Sequence, residues 1–269
     1  MWRHAHADPE VLREFQLRKL RVLLAHCRTH VRVYREHWRW SGLQPADVVT
    51  TQHIEALPTI SKNDLRSRPV AETLVDGADV RVLVQHTTSG SSGRPFTIYR
   101  APREEHLLNL FRLRASAQAG QRIFDRIARF SQLPLDPIRR GWPGRLRNAM
   151  GIHREQQFDG LAPAHELVEN LIRHRADVIR GYPSTLRHVA ARIQGQQHRI
   201  RPRLIVCGGE VLDAAARCTI EEAFSAALVD FYGAHEFNLL ASQCPREDCY
   251  HVCDDNVLLE IVGEDGRAV

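Results

Sequence analysis

The sequence predicts an α/β fold of largely parallel sheets flanked by helices, preceded by an N-terminal helical segment. Three observations lead to it. From residue 164 onward, short apolar strand-like runs alternate with helical stretches, the signature of βαβ units. Hydrophobic residues at 43% and charged residues at 26% are ordinary for a globular chain and exclude disorder, collagen and coiled coil. At 269 residues the chain can bury roughly three quarters of its unfolded surface, so it needs no disulfide or metal to fold.

The elements follow in order. Residues 9–40 read as one long amphipathic helix, with Leu12, Phe15, Leu20, Leu23, Leu24 and Val31 near a 3.6-residue period and arginines between them. Leu57 to Ile60 is extended, and Ser61 has the side chain of an N-cap for a short helix after it. Val80 to Val84 alternates like a strand and runs into a loop over 86–95, after which Phe96 to Tyr99 resumes as a strand. Pro102 opens a helix carrying Leu107, Leu108, Leu110, Phe111 and Leu113. Residues 132–160, rich in Pro, Gly and Arg, read as surface loop. Helices are then expected over 164–173, 183–193 and 213–224, and strands over 177–180, 203–207 and 227–231. The tail from Asn256 reads as a strand, a turn at 264–266 and the start of a returning strand. The expected division is a helical segment over 1–68 and an α/β domain over 69–269.

Chemistry concentrates in a few places. The loop Thr87, Thr88, Ser89, Gly90, Ser91, Ser92, Gly93 offers two glycines, which let backbone N–H groups approach an anion, and five hydroxyls that can donate to phosphate oxygens. It lacks the glycine spacing and the Lys-Ser/Thr of a Walker loop, and its composition alone would also suit a flexible connector. Three later turns follow three consecutive expected strands: Gly181 to Ser184, Gly208 to Glu210, and Tyr232 to Glu236. Ligands of open parallel sheets bind outside the carboxyl ends of the strands, so three such turns argue for a cleft.

Taken in order, these motifs resemble the adenylate-forming enzymes, specifically the phenylacetate–CoA ligase family and its CapK-like relatives. The matching segments are Leu57-Pro58 with Lys62 and Asp64 to Arg66, Ser89 to Pro95, Gly181 to Leu186, Gly208 to Leu212, and Asp230 to Glu236. The resemblance implies the large N-terminal domain of such an enzyme. It assigns Thr88, Ser89, Gly90, Ser91, Ser92 and Gly93 to the phosphates of ATP, with Ser91 and Ser92 among the catalytic groups. Gly208, Gly209 and Glu210 would line the adenine side, with Tyr232 stacked on the ring beside Gly233. Glu236 would hold Mg²⁺ and act in catalysis. The implied partners are ATP, a small carboxylic acid of aryl-acetate or other type, and coenzyme A. The implied reaction is acyl-adenylate formation followed by thioester formation. A non-catalytic nucleotide- or partner-binding remnant of the fold, or AMP transfer to a cofactor hydroxyl as in coenzyme F390 synthetase, are the alternatives.

Two positions depart from the family pattern. Arg94 stands where lysine is frequent, and His235 where threonine or serine is usual beside the metal glutamate. The family continues beyond residue 269 with a Thr-Gly-Asp segment and a small domain carrying a catalytic lysine, so weak nucleotide binding and poor thioester formation are expected of this chain alone.

Cys244, Cys249, His251 and Cys253 fall within ten residues. Three thiolates and an imidazole make a tetrahedral Zn²⁺ set, although the spacing matches no standard finger. Reduced cysteines beside a surface histidine are the other reading. With no signal-like N-terminus and no apolar run near the ~18 residues that span a bilayer, the expected location is the cytoplasm, away from membranes. Net charge is +5, and 35 of the 37 basic residues are arginine. The dense stretch Arg139, Arg140, Arg145, Arg147 can meet a polyanion, but no aromatic-and-basic interleaving supports nucleic acid as a partner. A homodimer is the candidate assembly.

Overall fold

A computed structural model describes residues 7–39, 41, 42, 44–48, 50–88, 95–131, 146, 149–152, 154–193 and 199–264. The chain divides into two compact units, Met1–Leu107 with Asp254–Val269, and Leu108–Cys253.

In the first unit, α1 (Pro9–His30) starts where Asp8 accepts from the Glu10 amide at 2.9 Å and Pro9 supplies a helical φ without needing a hydrogen bond. The expected single helix over 9–40 is broken at Val31. There the backbone turns extended (φ −125°, ψ 111°), bridges Val75, and lets the Asp76 amide donate to the His30 carbonyl at 2.7 Å. The β-branched valine suits that conformation, and α2 (Arg32–His37) follows it. Ser61 caps α3 (Lys62–Arg66) as expected, in a reciprocal box with Asp64. A single turn, α4 (Val70–Thr73), comes next.

The expected strand over 80–84 is a 3₁₀ turn at Val80–Val82, because Asp79 accepts from both the backbone and the side chain of Arg81. The strand begins later, as β1 (Val84–Thr88), and pairs antiparallel with β2 (Phe96–Arg100) from Val84 opposite Arg100 to Thr88 opposite Phe96. Helix α5 (Pro102–Gln118) then starts at its proline. Its first turn carries Glu105, 4% exposed, which accepts from Arg100 at 2.7 Å and meets His86 Nε2 at 2.9 Å.

The second unit is built on a seven-stranded sheet: β3 (Arg126–Phe130), β4 (Arg154–Phe158), β5 (Val178–Gly181), β6 (Leu204–Gly208), β7 (Ala227–Tyr232), β8 (Ala241–Gln243) and β9 (Tyr250–Val252). Its order is β4-β3-β5-β6-β7-β8-β9. The first five strands are parallel and the last two pairings antiparallel. The connecting helices are α6 (Ala164–His174), α7 (Pro183–Arg192) and α8 (Ala214–Phe224), each within a residue or two of its expected bounds.

One face of the sheet carries the core. Ile179 and Ile205 stand opposite one another and pack with Leu167, Leu171, Leu186, Val189, Ile193, Ile220 and Phe224 from the three helices. Full burial of each such side chain contributes roughly 1.5–3 kcal/mol before ordering costs. Alternation sends Arg180 to the other face, where it donates to Ser116 of α5 at 2.7 Å and to Gln121.

Strands β3 and β4 depart from the sequence reading, which has no strand at 126–130 and surface loop over 132–160. Arginines interrupt the apolar residues of β3 (RIARF), and β4 (REQQF) is an edge strand whose one buried residue is Phe158. Residues 132–145 lie outside the described residues. Of the expected tail, residues 254–256 turn, 257–264 carry a bridge residue at Val262 and no longer strand, and 265–269, with the expected returning strand, lie outside the described residues.

Candidate active site

The three chemistry-bearing turns lie side by side at the carboxyl edge of β5, β6 and β7. Register places Gly181 beside Cys207 and Gly208 beside Phe231, so the strands end nearly level. After β5, Tyr182 precedes α7 in extended backbone and Pro183 takes the first helical position. The Ser184 amide and hydroxyl both donate to the Glu210 carboxylate, each at 3.0 Å. Glu210 therefore sits on the positive end of α7 and ties the second turn to the first.

Two glycines are required after β6 by their surroundings. A Cβ on Gly208 would lie 2.4 Å from the Phe231 carbonyl oxygen of the adjacent strand. Gly209 has φ +83°, and a Cβ there would lie 2.9 Å from the Tyr182 ring. The ring of the first turn thus packs on the backbone of the second.

The third turn is compact. The Ala234 carbonyl accepts from the amides of Phe237 (3.1 Å) and Asn238 (2.7 Å), Asn238 is left-handed at φ 65°, and the Tyr232 carbonyl accepts from Leu240 at 3.0 Å. Tyr232 is 54% exposed, presenting an aromatic face at this edge. His235 and Glu236 are half-buried, and Glu236 Oε1 is shielded from solvent.

Beneath the third turn lies a support that sequence patterns did not reveal. Asp230, 8% exposed, accepts from the Tyr250 hydroxyl at 2.7 Å and from the Cys207 thiol at 3.3 Å. Its amide donates to Gln243 Oε1 at 3.2 Å, and Arg217 donates to that same oxygen at 2.6 Å. Burial first, and the Asp230 carboxylate second, push the Tyr250 hydroxyl and the Cys207 thiol well above their ordinary ranges, so both remain protonated donors. Tyr250, Gln243 and Arg217 carried no signal beyond an aromatic in a polar segment; only the pairing of β7, β8 and β9 brings them together.

The structure therefore brings Gly208, Gly209, Glu210, Tyr232, Gly233 and Glu236 to one sheet edge within one unit. Thr88 ends β1 in the other unit, and Ser89, Gly90, Ser91, Ser92, Gly93 and Arg94 lie outside the described residues. Among the described residues, Cys244, Cys249 and His251 converge, with their ligand atoms all within 4.8 Å. Cys253, expected in that set, does not join it. Strand β9 ends at Val252, and Cys253 is buried with its amide donating to the Leu240 carbonyl at 2.8 Å. No helix among the described residues is long and apolar enough to cross a membrane.

Parallel strands flanked by helices, with glycine and acidic turns at the carboxyl edge, define the fold as that of the large N-terminal domain of adenylate-forming enzymes. A 2-hydroxyisobutyryl-CoA ligase, solved with 2-HIB-AMP and CoA, superposes with a TM-score of 0.75 at 20% identity, covering 91% of this chain and 54% of its own. The anthranilate CoA ligase AuaEII, solved with anthranoyl-AMP, superposes with a TM-score of 0.50 at 20% identity over 81% of this chain and 45% of its own. In sequence, the chain is 25% identical over 241 residues to the phenylacetate-coenzyme A ligase of Pseudomonas putida. That match covers 86% of the chain and 52% of the relative, so the chain spans about half the relative's length. The resemblance carried by the ordered motifs is thus borne out. No protein-family model matches the chain.

Proposed function

We propose that the carboxyl edge of β5, β6 and β7 binds ATP and a small carboxylic acid and supports acyl-adenylate formation. The observation that carries this reading is the adjacency of the three turns, stapled by Glu210 on Ser184 and by Tyr182 on Gly209, with Tyr232 exposed beside them. In the reaction a substrate carboxylate oxygen attacks the α-phosphorus of ATP. The bond to the β-phosphate oxygen breaks, and pyrophosphate leaves with its electron pair. In the longer relatives' chemistry, the thiolate of coenzyme A then displaces AMP from the acyl carbon, and the same acceptor is proposed for the whole protein here.

Each residue has a task in this reading. Tyr232 offers its face to the purine, and Gly208 and Gly209 let the base approach the backbone closely. Glu210 lines that side while fixing the spacing of the turns. Glu236 suits Mg²⁺, because a carboxylate with one oxygen already withdrawn from bulk water is a hard donor needing little further desolvation. When bound, Mg²⁺ supplies charge neutralisation to the phosphate oxygens. The hydroxyl-rich loop at 88–93 enters the reading from sequence alone, as does the assignment of residues 69–269 to the nucleotide-binding part.

Calorimetric titration with Mg·ATP tests the site. The native chain is expected to bind, and Glu236→Ala to bind at least tenfold more weakly, matching the loss of one charge-assisted contact of about 1.5–3 kcal/mol. Equal binding by both chains would remove Glu236 from the site. Pyrophosphate exchange across a panel of carboxylic acids then identifies the substrate class.

A further inference from the structure

The hairpin of β8 and β9 has two unlike faces. On one, Gln243 and Tyr250 reach back to Asp230 of β7. These two form the last regular pair of the hairpin, and the Cys244 amide donates to the Cys249 carbonyl at 2.8 Å just beyond them. Cys244 and Cys249 therefore stand opposite one another across the hairpin. His251 lies two residues on from Cys249, within β9, and its ring comes to the same end of the hairpin as the two thiols. The three ligand atoms lie within 4.8 Å of one another, with Cys249 and His251 exposed and Cys244 half-buried. Donors around a tetrahedral ion, at about 2.3 Å for sulfur and about 2.0 Å for nitrogen, stand about 3.5–3.8 Å apart. Small rotations of exposed side chains close that difference.

We infer that Cys244, Cys249 and His251 form a Zn²⁺ site that clips the tip of the hairpin. Two thiolates and an imidazole are soft and borderline donors that select zinc over magnesium or calcium. Binding releases the two thiol protons to solvent and leaves the fourth position to water. The hairpin so pinned is the one that holds Tyr250 on Asp230, two residues before Tyr232. The clip is thus a structural site next to the proposed nucleotide edge and independent of what that edge binds.

The test uses the full chain, reduced and stripped with a chelator, then titrated with Co²⁺ as a spectroscopic probe. A thiolate-to-cobalt charge-transfer band is expected to saturate at one equivalent and to be erased by Zn²⁺, with Zn²⁺ raising the melting temperature. Cys249→Ser and His251→Ala, both at exposed positions that spare the core, should each weaken binding by more than the roughly 10–100-fold that outer-shell changes cause. Cys218→Ser, at an exposed cysteine outside the cluster, should leave it unchanged. The inference is overturned by absence of the band in the reduced chain, or by binding that survives both ligand substitutions. It is equally overturned by recovery of a Cys244–Cys249 disulfide in place of metal from the chain as purified.

Discussion

At the scale of single residues, the proposed site separates groups that touch a ligand from groups that hold the frame. Tyr232 belongs to the first kind. It is 54% exposed at the end of β7, so its ring contributes little to folding and is free to meet a base. Tyr232→Ala is expected to weaken Mg·ATP binding by about two- to tenfold, the range of an aromatic contact of about 0.5–1.5 kcal/mol. Its melting temperature should stay near that of the native chain, and calorimetry beside a thermal melt checks both. Cys253 marks where residue-level reasoning stops. Its spacing from His251 made it a ligand on paper, but two-residue alternation holds only within a strand, and β9 ends one residue earlier. Composition says which atoms can bind a metal; the end of a strand decides which of them arrive.

At the scale of elements, α7 depends on a residue from another segment. Its first-turn amide at Ser184 is satisfied by Glu210, which follows the next strand. Glu210→Ala is expected to cost about 1 kcal/mol, seen as a fall of about 2–4 °C in melting temperature. Mg·ATP affinity should fall with it, since the spacing between the two turns relaxes. The helices α6, α7 and α8 and the strands β5, β6 and β7 were legible because apolar runs and capping residues such as Asp213 mark them locally. The turns after those strands were legible for the same reason. Strands β3 and β4 were not, because Arg126 and Arg129 interrupt the short apolar set of β3 and the run Arg154 to Gln157 is polar. Those segments are strands because neighbours pair with them. The break in the first helix was equally hidden, since Val31 leaves the helix to bridge Val75, more than forty residues on. The support under Asp230 is a product of pairing too, drawing Arg217, Gln243 and Tyr250 from three separate elements.

At the scale of the whole molecule, acid is the condition to which stability should respond most steeply. Burial opposes ionisation of Glu105, but the hydrogen bonds from His86 and Arg100 outweigh it and hold its carboxyl at about 2, below the ordinary 4.5. Hydrogen bonds from Arg32 and Arg68 hold half-buried Glu36 at about 2 as well. A carboxyl depressed on folding stabilises above its unfolded value and loses that contribution as pH falls through the folded one. Unfolding free energy should therefore drop between about pH 4.5 and about pH 2, as denaturant titrations across that window would record. Glu105→Gln should flatten the slope and cost about 1–2 kcal/mol at neutral pH, because a neutral acceptor replaces the carboxylate in the hydrogen bond from Arg100. The order of the sheet has a consequence in time as well. The chain lays β4 outside β3, then crosses back to place β5 on the other flank, so β3 meets β5 only after an excursion. Arg126 and Asp177, 51 positions apart, clasp that junction at 3.0 Å, whereas the thiol contact from β6 to β7 spans 23. Short closures cost less entropy, so β5, β6 and β7 should assemble first and β3 dock late, with the Arg126–Asp177 clasp sealing the step. Asp177→Asn should then speed unfolding several-fold and leave the refolding rate near that of the native chain in stopped-flow traces, whereas slower refolding would place the clasp in the transition state and overturn that order.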